Sequence, residues 1–370
     1  MGHKVFVITG STTEQGTSLF RSDGIINYPL LKFENGYYRF LTGHQSSVSF
    51  AQLFKGVYFN PFNLIRIRQL KDIFDVVYIF NIAGISLSVC ETGSTPTVFH
   101  IADLWPQVFF SPRPKLRNHD LPIFNPFFLL LKRITNKQNV KMISISRFVK
   151  RRLVETLSIP PTKIRTIPYG VDTKIFYPIK KEQSHDVFRI VYVGQLHHGK
   201  GIHVLLKALY VLIKLEPSTR FILDIIGDGD RSYINSLYKI IKELKLTNNV
   251  IFHGKIEHER LATYYNSGDV FVYPSVWNEA FGMSVLEAMA CGVPVIASAV
   301  GGLPEIVTNL STGLLFNPGD YMALSYALLR IYRDDKLRER LSSNGLAFAQ
   351  KLTWEHISKC IEEVLLSSLC

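Results

Sequence analysis

Only four cysteines occur in 370 residues (Cys90, Cys291, Cys360 and Cys370), and their spacing matches neither a metal knuckle nor a paired framework. That scarcity excludes a disulfide-stapled fold and points to a reduced, cytoplasmic protein. Long hydrophobic runs are missing too. The apolar stretch Ile123 to Leu131 is interrupted by Asn125 and Pro126, well short of the ~18 apolar residues that a spanning helix needs. No secretory leader is expected, since Met1-Gly-His-Lys4 runs directly into the strand-like Val5-Phe-Val-Ile8. Internal repeats and low-complexity tracts are absent. Acidic residues are in deficit, with 30 Asp and Glu against 42 Lys and Arg and a net charge of +12.

The excess charge is concentrated. Residues 101–165 hold thirteen Lys and Arg against three Asp and Glu, including Lys150-Arg151-Arg152. Nucleic acid is not expected, because no recognition motif accompanies the charge. Phe109-Phe110, Phe124, Phe127-Phe128 and Leu129 to Leu131 interleave with it, so an anionic membrane surface is the better partner. A solvated basic face is the plain alternative.

What is present in abundance is α/β patterning. A hydrophobic content of 47% over 370 residues supplies two cores rather than one. Val270-Phe-Val-Tyr273 is a buried strand by composition. Pro274-Ser275 end it, Ser284 to Ala290 are helix formers, Gly292 stops the helix, and Val293-Pro-Val-Ile-Ala297 forms the next strand. The loop Glu279-Ala280-Phe281-Gly282 leads into Met283 and Ser284, so the helix start should present free amides to an anion. Glu279 and Glu287 stand eight positions apart. A continuous helix would separate them by roughly 12 Å, too far for a shared proton or metal but suited to two ends of one extended ligand. A loop carboxylate and a solvated helix residue are the plain alternative.

The stretch Glu279-Ala-Phe-Gly282, Glu287-Ala-Met-Ala-Cys-Gly-Val-Pro-Val295 and Gly301-Gly-Leu-Pro-Glu305 resembles the Glu-x7-Glu signature of retaining family 4 glycosyltransferases. The resemblance covers nearly the whole chain and is strongest from Ile164 to Trp354. It implies a GT-B architecture, two Rossmann-like α/β domains facing across a cleft. The expected divisions are an acceptor-side domain at 1–178, a nucleotide-sugar domain at 187–350, and a helix at 351–370 crossing back. In that family, Gly-His-x-Val-x-Val-Ile-Thr is the second strand, so the first domain would lack its initial strand and helix. Arg165-Thr-Ile-Pro-Tyr-Gly-Val-Asp172 matches the family's Ile-Pro-Asn-Gly-Val-Asp, with Tyr169 replacing Asn.

The resemblance also distributes roles. Glu279 would hold the transferred sugar and Glu287 the ribose, with Lys200 and the amides from Phe281 to Ser284 on the diphosphate. Gly194-Gln195-Leu-His-His-Gly-Lys200 would be the phosphate loop, with Gln195 standing where relatives often carry Arg. Gly227, Gly254 and Lys255 would lie near the base. Ala102 takes the place of a family His beside Asp103, and His100 is a secondary candidate two residues earlier. No metal and no cofactor are expected, the nucleotide sugar being a substrate. The acceptor would be a glycan or lipid-linked. An epimerase of this fold is disfavoured by the signature, and a phosphorylase by the lack of an identifiable pyridoxal lysine. A non-catalytic partner in a glycan-assembly complex stays open through Ala102, Gln195 and the early start.

Overall fold

The computed structural model describes residues 5–11, 25–32, 75–80, 95–102, 137–179 and 187–369. Asp103, the aromatic run from Phe109 to Leu131 and the linker residues 180–186 lie outside the described residues. Packing divides the chain into two compact units. One comprises Met1–Ile143, Arg152–Arg165 and Glu363–Cys370, the other Ser144–Arg151 and Thr166–Glu362.

In the first unit, β1 (Val5–Ser11) and β2 (Ile25–Lys32) pair in parallel, with a register shift after Thr9. A four-stranded sheet follows in the order β3 (Val77–Phe80), β4 (Thr97–Ile101), β5 (Val140–Ser144) and β6 (Ile164–Thr166). β3 and β4 run parallel, and β4 is buried along its whole length, as parallel strands covered on both faces should be. After β5 the chain enters α1 (Arg147–Leu157). Ser146 starts that helix by accepting the Val149 amide at 3.1 Å, as an N-cap serine does.

The second unit carries β7 (Val187–Val193), β8 (Arg220–Ile226), β9 (Val250–Gly254), β10 (Val270–Tyr273), β11 (Val295–Ser298) and β12 (Leu314–Phe316). They form one sheet in the order β12-β11-β10-β7-β8-β9, every neighbouring pair parallel. Numbered within the unit, this is the doubly wound order 3-2-1-4-5-6, which reverses between β7 and β10. Sheets of this kind hold ligands at the strand tips beside that reversal.

Helices α2 (Ile202–Leu215), α3 (Arg231–Glu243), α4 (Leu261–Ser267), α5 (Met283–Ala290) and α6 (Leu303–Ile306) link these strands. After β12 come α7 (Tyr321–Arg333), α8 (Asp335–Ala349) and α9 (Trp354–Leu366). Phe188, Ile190 and Tyr192 of β7 and Phe221, Leu223 and Ile225 of β8 alternate into one core with Leu205, Leu209 and Leu328. Burying each large apolar side chain contributes about 1.5–3 kcal/mol, so these two strands anchor the tips that follow them.

α5 starts at Met283, one residue ahead of the expected helix formers, because Gly282, at a φ of 124°, takes the chain out of helical geometry. Glu279 lies in the expected loop, so the rise along a continuous helix does not describe its separation from Glu287. One boundary differs from the sequence pattern. β11 begins at Val295, since Pro294 has no N–H to give the ladder.

Candidate active site

The site is built from the tips on either side of the reversal. Gly194 donates its amide to Ile226 O at 3.0 Å and Gly227 to Gly254 O at 2.8 Å, which lays the ends of β7, β8 and β9 side by side. Beyond Gly194 the loop closes in a tight turn over His198–Lys200 and then Gly201. Gly201 has a φ of 70°, and a side chain there would stand 1.9 Å from the Pro274 carbonyl oxygen. Only glycine lets this loop press against the β10 tip. The Val276 amide, in turn, donates to Gly199 O at 2.8 Å, so the two loops are stitched into one surface.

Lys200 and Glu279, 79 residues apart, meet within it. Lys200 Nζ donates to Glu279 Oε1 and Oε2 at 2.8 and 2.9 Å, and to Tyr273 Oη at 2.7 Å. The two charged side chains are only 15% and 12% exposed. Ser275 Oγ lies 2.7 Å from Glu279 Oε1 and 3.0 Å from the Gly199 carbonyl oxygen. Its one proton goes to the nearer, charged acceptor. Burial, and then the Glu279 carboxylate, hold the Tyr273 phenol far above its ordinary value, so this hydroxyl stays neutral.

The backbone behind Glu279 is fixed by the Gly-Gly-x-Pro-Glu segment. Gly302 donates its amide to Glu279 O at 2.8 Å. Gly301, at a φ of 57°, approaches so closely that a side chain would sit 2.1 Å from the same oxygen. Glu305 accepts the amides of Arg147 and Phe148 at 2.8 and 2.7 Å, capping α1 from another segment. Ser146 Oγ donates to Ala280 O at 2.7 Å. Phe281 is buried and meets Tyr169 edge to face at 5.8 Å. Then α5 begins, its first intrahelical bond running from the Val285 amide to Gly282 O at 3.1 Å. The amides of Met283 and Ser284 precede that bond, at the end of the helix that favours anions.

Glu287, about one turn into α5, is no solvated helix residue. It is 6% exposed and accepts the Tyr265 hydroxyl at 2.7 Å. Burial pushes its carboxyl pKa upward, while the Tyr265 bond and His258 draw it partly back. A carboxylate so placed can accept from ligand hydroxyls, and Lys200 beside a helix start can meet phosphate. This arrangement suits an anionic ligand that also carries vicinal hydroxyls.

Comparison with known proteins agrees. The family model for glycosyl transferases group 1 matches residues 175–348, and that for glycosyltransferase family 4 matches residues 1–175. The chain belongs to the family 4 glycosyltransferases. An O-antigen chain mannosyltransferase B of Escherichia coli is 36% identical over 225 residues, 58% of this chain and 57% of that protein. A D-inositol 3-phosphate glycosyltransferase of Thermomonospora curvata is 30% identical over 226 residues, 55% of this chain and 52% of that protein. The chain thus spans about half the length of the curated relatives it matches. Among solved structures, sucrose-phosphate synthase from Thermosynechococcus elongatus has a TM-score of 0.74 at 24% identity, covering 98% of this chain and 88% of that one. Anabaena Alr3699/HepE, solved with UDP and glucose, has a TM-score of 0.70 at 20% identity, covering 98% and 99%. At such identities they establish the fold, which is GT-B, with a parallel α/β sheet in each unit.

The other expected residues fall in separate places. Gln195 is exposed on the loop, its carbonyl accepting the Tyr192 hydroxyl at 2.8 Å. Gly254 and Lys255 lie exposed at the end of β9. In the first unit, Ala102 is buried after β4, and Asp103 lies outside the described residues. His100 is buried, with Nδ1 2.5 Å from Tyr78 Oη. Burial lowers its pKa to about 4, so it is a neutral core residue at physiological pH.

Sequence reasoning passed over three hydroxyls, Tyr273, Ser275 and Tyr265. Their signal was weak, although Tyr273 and Ser275 flank a strand tip ahead of the signature. It also passed over the Asp-x-Asp spacing of Asp228-Gly229-Asp230. There, Asp228 accepts the Gly229 amide at 2.8 Å and Asp230 accepts the Ser232 amide at 2.7 Å as the N-cap of α3. Among the described residues, no group of three His, Cys, Asp or Glu is placed to hold a metal.

Proposed function

We propose that this chain transfers a glycosyl group from a nucleotide-sugar donor to a glycan or lipid-linked acceptor, with retention at the anomeric carbon and without a metal. The observation that carries the reading is the Lys200–Glu279 pair at the strand-order reversal, beside the start of α5, which carries the buried Glu287 one turn further on. Lys200 and the α5 amides meet the diphosphate and stabilise the charge that builds as the glycosidic bond breaks, an electrostatic role. Glu279 orients the transferred sugar through its hydroxyls, and Glu287 accepts from the ribose. The complex of Alr3699/HepE with UDP and glucose and the mannosyltransferase B name support a nucleotide donor and a cell-surface glycan product. With no designated nucleophile in these roles, departure and attack occur on one face of the sugar.

The test is product analysis with a panel of UDP-, GDP- and ADP-sugars, scored for donor hydrolysis and for transfer. Release of one nucleoside diphosphate above background, with an α-configured product from an α-donor, is the expected result. Binding without any turnover would favour the second reading, a non-catalytic glycan-assembly partner, for which Gln195 in place of a cation is the specific support. The enzyme works at the cytoplasmic face of a membrane in this reading, held by the basic residues of 101–165. Among the described residues, no helix is long and apolar enough to cross a membrane. Binding to anionic vesicles that is lost as salt shortens the screening length below about 8 Å supports the contact; binding indifferent to lipid charge removes it.

A further inference from the structure

The Lys200 ammonium is held between two protein partners in a poorly exposed place. Nζ lies 2.8 and 2.9 Å from the two oxygens of Glu279, close enough together to share one N–H, and 2.7 Å from Tyr273 Oη. A donor diphosphate therefore competes with the Glu279 carboxylate for this cation. Separating two poorly exposed charges is costly unless each keeps a hydrogen-bond partner. Both keep one. Glu279 retains the Ser275 hydroxyl at 2.7 Å, and Lys200 retains Tyr273. These partners are neutral, so an incoming anion does not compete for them as it competes for the ammonium.

Tyr273 is also fixed where such a partner is needed. It is the last residue of β10, paired with Ala297 of β11 in the middle of the sheet, and is 5% exposed. Its hydroxyl lies 2.7 Å from the Lys200 ammonium, and the Glu279 carboxylate is near enough to help hold the phenol neutral. The one phenol therefore stands beside both members of the pair.

We propose that Tyr273 is a positioning residue on which the Lys200–Glu279 pair opens, holding the ammonium while the donor diphosphate displaces the carboxylate. The inference rests on the reading of Lys200 as the diphosphate cation and adds the residue that aims it. Tyr273 acts through Lys200, and its hydroxyl matters for a ligand with a β-phosphate more than for one without.

Calorimetric titration of the whole chain with UDP, GDP and ADP, and with the three monophosphates, tests it. Wild-type protein that binds none of the diphosphates would overturn the donor-site reading and this inference together. For the diphosphate that binds, Tyr273→Phe should weaken affinity roughly tenfold, the scale of one hydrogen bond to a charged group. The matching monophosphate should change less than about threefold, and the effect should vanish in a Lys200→Met background, as coupling through one contact requires. Equal losses for both nucleotides, no loss, or a loss that persists without Lys200 would overturn the inference while leaving the site reading intact. If Tyr273→Phe fails to fold by circular dichroism, Ser275→Ala carries the test from the carboxylate side. It should weaken the intact nucleotide sugar more than the diphosphate of the same base, and equal losses would again overturn the idea.

Discussion

The two carboxylates of the signature, one ahead of α5 and one within it, are the same residue type held in opposite ways. Glu279 lies ahead of the helix, with a cation on both oxygens and a serine hydroxyl on one. Glu287 lies within it, buried, with the Tyr265 hydroxyl as its hydrogen-bond donor and no ion pair among the described residues. The difference teaches what each position requires of a ligand. Glu279 is already matched to a cation, so a ligand there meets a carboxylate whose charge is balanced. Glu287 is desolvated in advance and gains from any hydroxyl that is offered. A buried carboxylate short of donors is expensive to maintain, and the expense is recovered when a vicinal diol completes its shell.

The comparison breaks most sharply at the cation. Lys200→Ala should lower kcat by about a hundredfold or more, the usual effect of losing one preorganised donor at a developing charge. Gln195→Ala should cost far less, since Gln195 is exposed and carries no charge. Lys200→Ala also strands Glu279 without its cation, which should lower the melting temperature. Lys200→Met combined with Glu279→Gln should restore much of that loss, because the stranded charge is removed as well. Equal, small kinetic effects at 195 and 200 would place leaving-group stabilisation elsewhere.

The second test falls on the other carboxylate. Glu287→Ala should weaken nucleoside diphosphate binding by roughly tenfold or more, the scale of charged hydrogen bonds to two hydroxyls, and unchanged affinity would remove Glu287 from the site. Wild-type affinity should also depend on pH. The carboxyl pKa is raised by burial in the free protein, and ribose hydroxyls favour the ionised form. Binding should therefore release a proton and strengthen as pH rises through that raised value. Isothermal titration in buffers of different ionisation enthalpy reads the proton directly.

The smallest expected effect is on stability. Because its pKa is raised, Glu287 holds a proton in the folded chain at pH values where the unfolded chain has lost it. Its contribution to stability is thus full below the ordinary carboxylate value and declines as pH rises above it. Glu287→Gln should raise the melting temperature at neutral pH and change it little near pH 4. A gain of the same size at both would mean that burial of charge is not the cause.

Much of this arrangement was legible before any coordinates. The apolar run Val270–Tyr273 and the helix formers from Ser284 to Ala290 marked β10 to the residue and α5 to within one, since composition and a stopping glycine bound them. The two glutamates and Lys200 carried the site because a long signature surrounds them. What stayed hidden had no period. Lys200 and Glu279 are 79 positions apart, and only the crossing of β10 beside β7 brings them together. Tyr273 and Ser275 looked like the end of a strand and a turn, which they also are. Glu305 belonged to a visible motif, yet its task of capping α1 depends on a helix more than 150 residues away. Contacts made by folding across a sheet leave no spacing to read.

A crystal structure with the preferred nucleoside diphosphate bound tests the central claim most directly. Both ribose hydroxyls should lie within hydrogen-bond distance of the Glu287 carboxylate, with the phosphates on Lys200 and the first amides of α5, and Glu279 parted from the ammonium. A nucleotide bound with the Lys200–Glu279 pair still closed, or with Glu287 bonded to Tyr265 alone, would contradict it.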